Sequence, residues 1–271
     1  ILLWLIHMVG PYNKVLLNFG QKILTILVAL KKSLTTEQIC AHLQLKVNGQ
    51  KNLKQNKINK KFVYLISPNK ISNINFYDDL ALVLSSKKIS FFQLRLKKET
   101  NSNKLIIGKK IKKICNKYKV KFLINDDPLL AKKLNADGCH LGQKDMDLIK
   151  ARKILKNKII GVTCHNSINL AKKAINDGAD YLAFGAFYAT KTKTVKYRAS
   201  LTVLKSIKKI TSLPIVAIGG IKLSNYKKLL LNKANFLAIS GYIWNNKKYK
   251  PLEAIKKLKW NYTQVKLELE C

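Results

Sequence analysis

From Phe62 onward the chain repeats one pattern eight times: a short apolar run, then a Lys-rich segment of helical period. The runs are Phe62–Ile66, Ile89–Leu94, Val120–Ile124, Gly138–Leu141, Ile159–Val162, Tyr181–Phe184, Ile215–Ile218 and Phe236–Ile239. The segments between and after them are Tyr77–Lys87, Lys104–Tyr118, Pro128–Leu134, Leu148–Leu155, Ile168–Asp177, Leu201–Ile210, Asn225–Leu231 and Leu252–Leu258. Continuously apolar strands between amphipathic helices describe a parallel sheet covered on its faces. Eight such units predict a (β/α)8 TIM barrel, an α/β fold whose functional residues follow the strands on one rim.

The strand ends carry a coherent set of polar groups. Gln93, Arg95 and Lys97 alternate at the end of the second run and so face one side of it. Two cations and an amide there suit a diphosphate. Asn125, Asp126 and Asp127 end the third run, and Asp145 follows the fourth. The chain has 14 acidic residues among 271, yet two neighbouring strands each end in a carboxylate. On one rim, Asp126 and Asp145 would share a hard cation such as Mg²⁺. The alternative is that Asp126 and Asp127 cap the helix that Pro128 starts and Asp145 caps the next. Thr163 and His165 follow the fifth run, and Thr190, Thr192 and Lys193 lie in the loop after the sixth. Gly219-Gly220 and Ser240-Gly241 end the seventh and eighth, where backbone N–H groups can approach a phosphate. Two anionic subsites result, one metal-assisted near strands two to four and one at strands seven and eight.

Lys and Arg number 52, and the formal net charge is +38. The Lys residues are scattered along every helix candidate, with no nucleic-acid module, so the charge favours small anionic substrates over specific nucleic-acid binding. Cys40, Cys115, Cys139, Cys164 and Cys271 are odd in number with no CxxC pair, which predicts reduced thiols in a cytoplasmic protein. Cys139 and His140 are adjacent on a strand and point to opposite faces, so they do not share a metal.

Residues 1–61 form an extension without an assigned role. Its apolar runs Ile1–Val9 and Val15–Leu30 are separated by Gly10 and Pro11, and Asn18, Gln21 and Lys22 make the second a poor membrane span. A basic n-region and a small-residue cleavage site are lacking, against a secretory signal. Any membrane contact would run through residues 1–30, as a peripheral helix. A helix is predicted over Thr36–Leu45, with Thr35 and Gln38 as a capping box, before a Lys/Asn-rich linker, Asn48–Lys61. The barrel is expected over residues 62–260 and a tail over 261–271.

The segments QLRLK (Gln93–Lys97), LINDD (Leu123–Asp127), DGCHLGQKD (Asp137–Asp145), GVTCH (Gly161–His165), GADYLAFGAFYATKTK (Gly178–Lys193) and PIVAIGGI (Pro214–Ile221) resemble the thiamine phosphate synthase family, which also contains thiazole tautomerases. The resemblance runs from about Phe62 to Leu258. It implies joining hydroxymethylpyrimidine diphosphate to thiazole phosphate, yielding thiamine phosphate and diphosphate. It further implies that Arg95, Lys97 and Lys193 hold the diphosphate, with Asn125 beside it, and that Asp126 and Asp145 bind Mg²⁺. Gln93 would orient the pyrimidine, Thr190 and Thr192 would line the junction, and Gly220 and Ser240 would bind the thiazole phosphate. Thr163 stands where the family usually has Ser, keeping a hydroxyl at the reacting centre. Ser200 stands near a usual Gly, and Ala186 replaces a frequent Pro. The family also suggests a homodimer. Two alternatives remain: a thiazole tautomerase with His165 as acid/base, and a non-catalytic phosphate-binding barrel.

Overall fold

The computed structural model describes residues 61–190 and 197–259. The expected helix Thr36–Leu45, the linker before Lys61, the tail, Thr192 and Lys193 all lie wholly or largely outside the described residues. Eight parallel strands close into a barrel in sequence order, with β8 pairing back to β1. They are β1 (Val63–Ile66), β2 (Ile89–Leu94), β3 (Lys121–Asn125), β4 (Gly138–Leu141), β5 (Ile159–His165), β6 (Tyr181–Gly185), β7 (Ile215–Ile218) and β8 (Phe236–Ile239). The helices between them are α1 (Phe76–Ser85), α2 (Asn101–Lys117), α3 (Pro128–Lys133), α4 (Leu148–Leu155), α5 (Ile168–Asn176), α6 (Leu201–Lys208) and α7 (Tyr226–Leu231); α8 (Gly241–Trp244) and α9 (Pro251–Lys257) follow β8. The predicted (β/α)8 barrel is the fold observed.

The strands are apolar on both faces because each face has its own core. Outward-pointing Leu65, Phe92, Phe122, Ile124, Cys139, Ile160 and Leu182 pack under the helices. Inward-pointing Tyr64, Ile66, Leu123, Tyr181, Ala183, Val216 and Ala238 fill the barrel. Burying a side chain such as Phe122 contributes about 1.5–3 kcal/mol. Cys115, Cys139 and Cys164 are free thiols in the outer layer; burial pushes the Cys164 thiol up to about 12. Cys139 and His140 do face opposite ways, one into each core.

Element ends differ from expectation by one to three residues. β5 runs on to His165, because a bulge between Thr163 and His165 keeps it paired with β6. The four-residue α8 is too short to show a period in sequence. It places Trp244, whose Nε1 donates to Ile66 O at 2.7 Å and holds the end of β1. Among the described residues no helix is long and apolar enough to cross a membrane.

The opposite rim is fastened by a repeated device. Asp137, Asp180 and Asn235 stand just before β4, β6 and β8. Their side chains accept from Phe122 N (2.9 Å), Ile160 N (2.7 Å) and Ile215 N (2.8 Å) respectively. Each also donates its own N–H to the carbonyl of that same residue on the preceding odd strand. These polar groups follow from pairing rules, not chemistry.

Candidate active site

The polar residues named from the sequence gather at the carboxyl ends of the strands. Asp126 N donates to His140 O at 2.8 Å, which fixes the Asp126 backbone against β4. Its φ of +65° turns the chain sharply there, a conformation that Asp and Asn tolerate better than most residues. Asp145 is set by the turn after β4: its Oδ2 accepts from Gly142 N at 2.6 Å. A Cβ on Gly142 would lie 2.8 Å from that oxygen, so a larger residue there would push the Asp145 carboxylate aside.

Neither carboxylate caps a helix. Asp127 caps α3, accepting from Leu130 N at 2.9 Å, and Asp147 caps α4. The capping alternative is therefore corrected for Asp126 and Asp145: Asp147 stands two residues nearer α4 and does that task. Asp126 and Asp145 instead lie within hydrogen-bonding reach of each other. Burial raises the Asp126 carboxyl, but the bonds from Asp145 and Lys97 outweigh it and hold it below the usual value. Burial and the bond to Asp126 raise Asp145. The two carboxyls are thus pushed apart, Asp126 below and Asp145 above the usual carboxylate value.

Cations converge from β2. Lys97 Nζ lies 3.0 Å from Asp126 Oδ2. The half-buried Arg95 donates from Nη1 to Asn69 Oδ1 at 2.9 Å, with burial lowering its guanidinium and the Asp126 charge opposing that. Lys97, Lys104, Asn125, Asp126 and Asp127 line a cavity of about 190 Å³ with Leu94, Leu96, Ile124 and Leu130. Among the described residues no group of three or more His, Cys, Asp or Glu is placed to hold a metal ion. A two-carboxylate site suits Mg²⁺, which keeps several waters and takes phosphate oxygens as further ligands.

The ends of β6 and β7 meet through backbone. Gly219 and Gly220 have φ of +104° and +62°. A Cβ on Gly220 would lie 2.2 Å from Ala189 O, so the turn packs directly on the loop after β6. Phe187 N and Tyr188 N donate to Ile218 O and Gly219 O, both at 3.1 Å, and tie the two loops together. Thr190 ends the described part of that loop. Ser240 stands at the end of β8, its hydroxyl donating to Ser67 O at 3.0 Å.

Inside the barrel lies a polar chain the sequence reading missed. Gln93 Nε2 donates to Tyr64 Oη, Tyr64 Oη meets Tyr181 Oη, Tyr181 Oη meets His140 Nδ1, and His140 Nε2 meets Thr163 Oγ1, each at 2.8 Å. Gln93 is 3% exposed and His140 8%. Gly161 makes room for it, since a Cβ there would fall 1.8 Å from Tyr181 Cζ. A glycine within a strand marks such a close approach, and it was the available signal. His165, at φ +53°, sits in the β5 bulge with its ring centroid 4.6 Å from that of Tyr197.

Residues 63–243 match the family model described as thiamine monophosphate synthase. The chain belongs to that family. The thiamine-phosphate synthase of Pelagibacter ubique is 97% identical over 207 residues, 76% of this chain and 100% of that protein. That of Nitrosomonas eutropha is 37% identical over 184 residues, 68% of this chain and 86% of its own. Among solved structures, the thiamine phosphate pyrophosphorylase of Pyrococcus furiosus superimposes with a TM-score of 0.65 at 26% identity, covering 78% of this chain and 98% of that one.

Proposed function

We propose that this member of the family is a thiamine-phosphate synthase, a transferase that joins hydroxymethylpyrimidine diphosphate to thiazole phosphate and releases diphosphate. One observation carries the reading: Asp126 and Asp145 face each other from adjacent strand ends, beside Lys97 and Arg95. Tautomerisation would leave that carboxylate pair without a task. A purely anion-binding barrel would be opposed by it.

In the reaction the methylene C–O bond of the pyrimidine breaks, and diphosphate leaves with the electron pair. The thiazole nitrogen then forms the C–N bond to the cationic methylene. Nothing in this sequence needs a Ser or Cys nucleophile. Arg95 and Lys97, with Lys193 from the loop after β6, would hold the diphosphate and offset the negative charge growing on it. Asn125 would donate to it as well. Asp126 and Asp145 would hold Mg²⁺, which supplies charge neutralisation of the leaving group. Gln93 and Thr163 would orient the pyrimidine, and Thr190 and Thr192 would line the junction. Gly220 would receive the thiazole phosphate on backbone N–H groups, and Ser240 would exchange its bond to Ser67 O for one to that phosphate.

The test uses the full chain with both substrates and Mg²⁺, following thiamine phosphate by its fluorescence after oxidation. Mg²⁺-dependent product is expected. Asp126→Asn, which keeps a residue tolerant of positive φ, and Arg95→Ala should each lower the rate by about two to three decades, as for other charge-stabilising groups. A folded wild-type chain that forms no product would sink the reading.

A further inference from the structure

The interior chain of hydrogen bonds has a direction. Gln93 presents Nε2–H to Tyr64 Oη, so that phenol accepts there and has one hydrogen left to give. Its other partner is Tyr181 Oη, which among the described residues has His140 Nδ1 next in line. Both phenols are fully buried, and burial raises both, so each remains a protonated donor. If Tyr181 donates to Nδ1, the imidazole carries its hydrogen on Nε2, because one ring nitrogen's partner sets the state of the other. Nε2–H then donates to Thr163 Oγ1 at 2.8 Å, and the Thr163 hydrogen is turned away from His140.

We propose that Gln93 sets, through Tyr64, Tyr181 and His140, the direction of the Thr163 hydroxyl, so that the pocket presents an acceptor at Gln93 Oε1 and a donor at Thr163 Oγ1. Tyr64, Tyr181 and His140 are positioning residues for these two groups. Ring packing supports this arrangement: the His140 and Tyr181 rings stack at 5.6 Å, and Tyr64 meets Tyr181 edge-on at 5.8 Å. The recognised class is an aminopyrimidine whose exocyclic N–H meets the acceptor and whose ring nitrogen meets the donor. That ligand assignment rests on the synthase reading; the direction of the chain does not.

The two parts are therefore measured separately. Nitrogen-15 NMR of the imidazole in the ligand-free full-length protein reads the tautomer. Wild type is expected to show His140 with hydrogen on Nε2 and none on Nδ1. Gln93→Glu replaces the donor by an acceptor, which reverses every bond and should move the hydrogen to Nδ1, although residue 93 does not touch the imidazole. Tyr64→Phe added to Gln93→Glu should abolish that response. Hydrogen on Nδ1 in the wild type, or a tautomer indifferent to Gln93→Glu in folded protein, overturns the proposal whatever the enzyme's activity.

Tyr181→Phe tests the consequence for the ligand and preserves the ring packing. It should raise KM for the pyrimidine diphosphate by about tenfold or more, the effect of a misdirected buried donor, and leave KM for the thiazole phosphate unchanged. An unchanged pyrimidine KM, or equal changes for both substrates, overturns the specificity role.

Discussion

Burial and the bond to Asp126 raise the Asp145 carboxyl while Asp126 is held below its usual value, and that sets a pH dependence. A cation held by these two carboxylates would compete with protonation of Asp145, whose carboxyl lies above its ordinary value. Below that raised value the proton competes; above it the pair is fully charged and the competition ends. The half-saturating Mg²⁺ concentration should therefore fall by about tenfold per unit as pH rises towards the Asp145 value, then level off. Mg²⁺ titrations of activity across a pH series check this, and a requirement that is flat on the acid side contradicts it. At this scale the sequence was informative wherever a polar residue ended an apolar run: Gln93, Arg95, Lys97, Asn125, Asp126 and Asp145 all reach one rim. It was uninformative about Tyr64, Tyr181 and His140. Strands buried on both faces show no alternation, so their polar interior atoms look like ordinary core.

At the scale of elements, the two ends of the strands do different work. The carboxyl ends hold Asp126 and Asp145; the amino ends hold Asp137, Asp180 and Asn235, which fasten neighbouring strands. Asp180 also pairs with Arg152 at 2.7 Å, and Arg152 gathers Lys156 O, Lys158 O and Gly178 O around it. Asp180→Ala removes the acceptor for Ile160 N and should cost about 1–3 kcal/mol. Thermal unfolding should shift down by several degrees, while kcat and both KM values stay near wild type. A large loss of kcat without a loss of stability would contradict the division between the two rims. Sequence alone did not separate these carboxylates. Asp180 and Asp126 each stand beside an apolar run, and only their place before or after the strand distinguishes fastening from chemistry. Asp145 against Asp147 is finer still: two residues decide which one reaches the turn after β4 and which caps α4.

At the scale of the whole molecule, barrel closure and charge act together. Pairing of β8 with β1 brings the ends of β2 to β4 and of β7 and β8 onto one rim, so the two proposed anionic subsites would share one mouth. The whole chain carries a formal net charge of +38, and in the described barrel the Lys residues are spread along the helices instead of gathered in a patch. Such a field attracts anions over distances comparable to the Debye length, about 8–10 Å at physiological salt, and is screened as salt is added. Close contacts such as Lys97 with Asp126 act at 3.0 Å and are less affected. Encounter should thus be salt-sensitive and the bound-state step much less so. Raising KCl from about 0.01 M, where the Debye length is about 30 Å, to about 0.15 M, where it is about 8 Å, should lower kcat/KM for the pyrimidine diphosphate severalfold at saturating Mg²⁺ and leave kcat nearly unchanged. The thiazole phosphate, with fewer charges, should respond less. A fall in kcat matching that in kcat/KM would locate the charge effect in the site itself, at Arg95 and Lys97, and not in the basic helices around it.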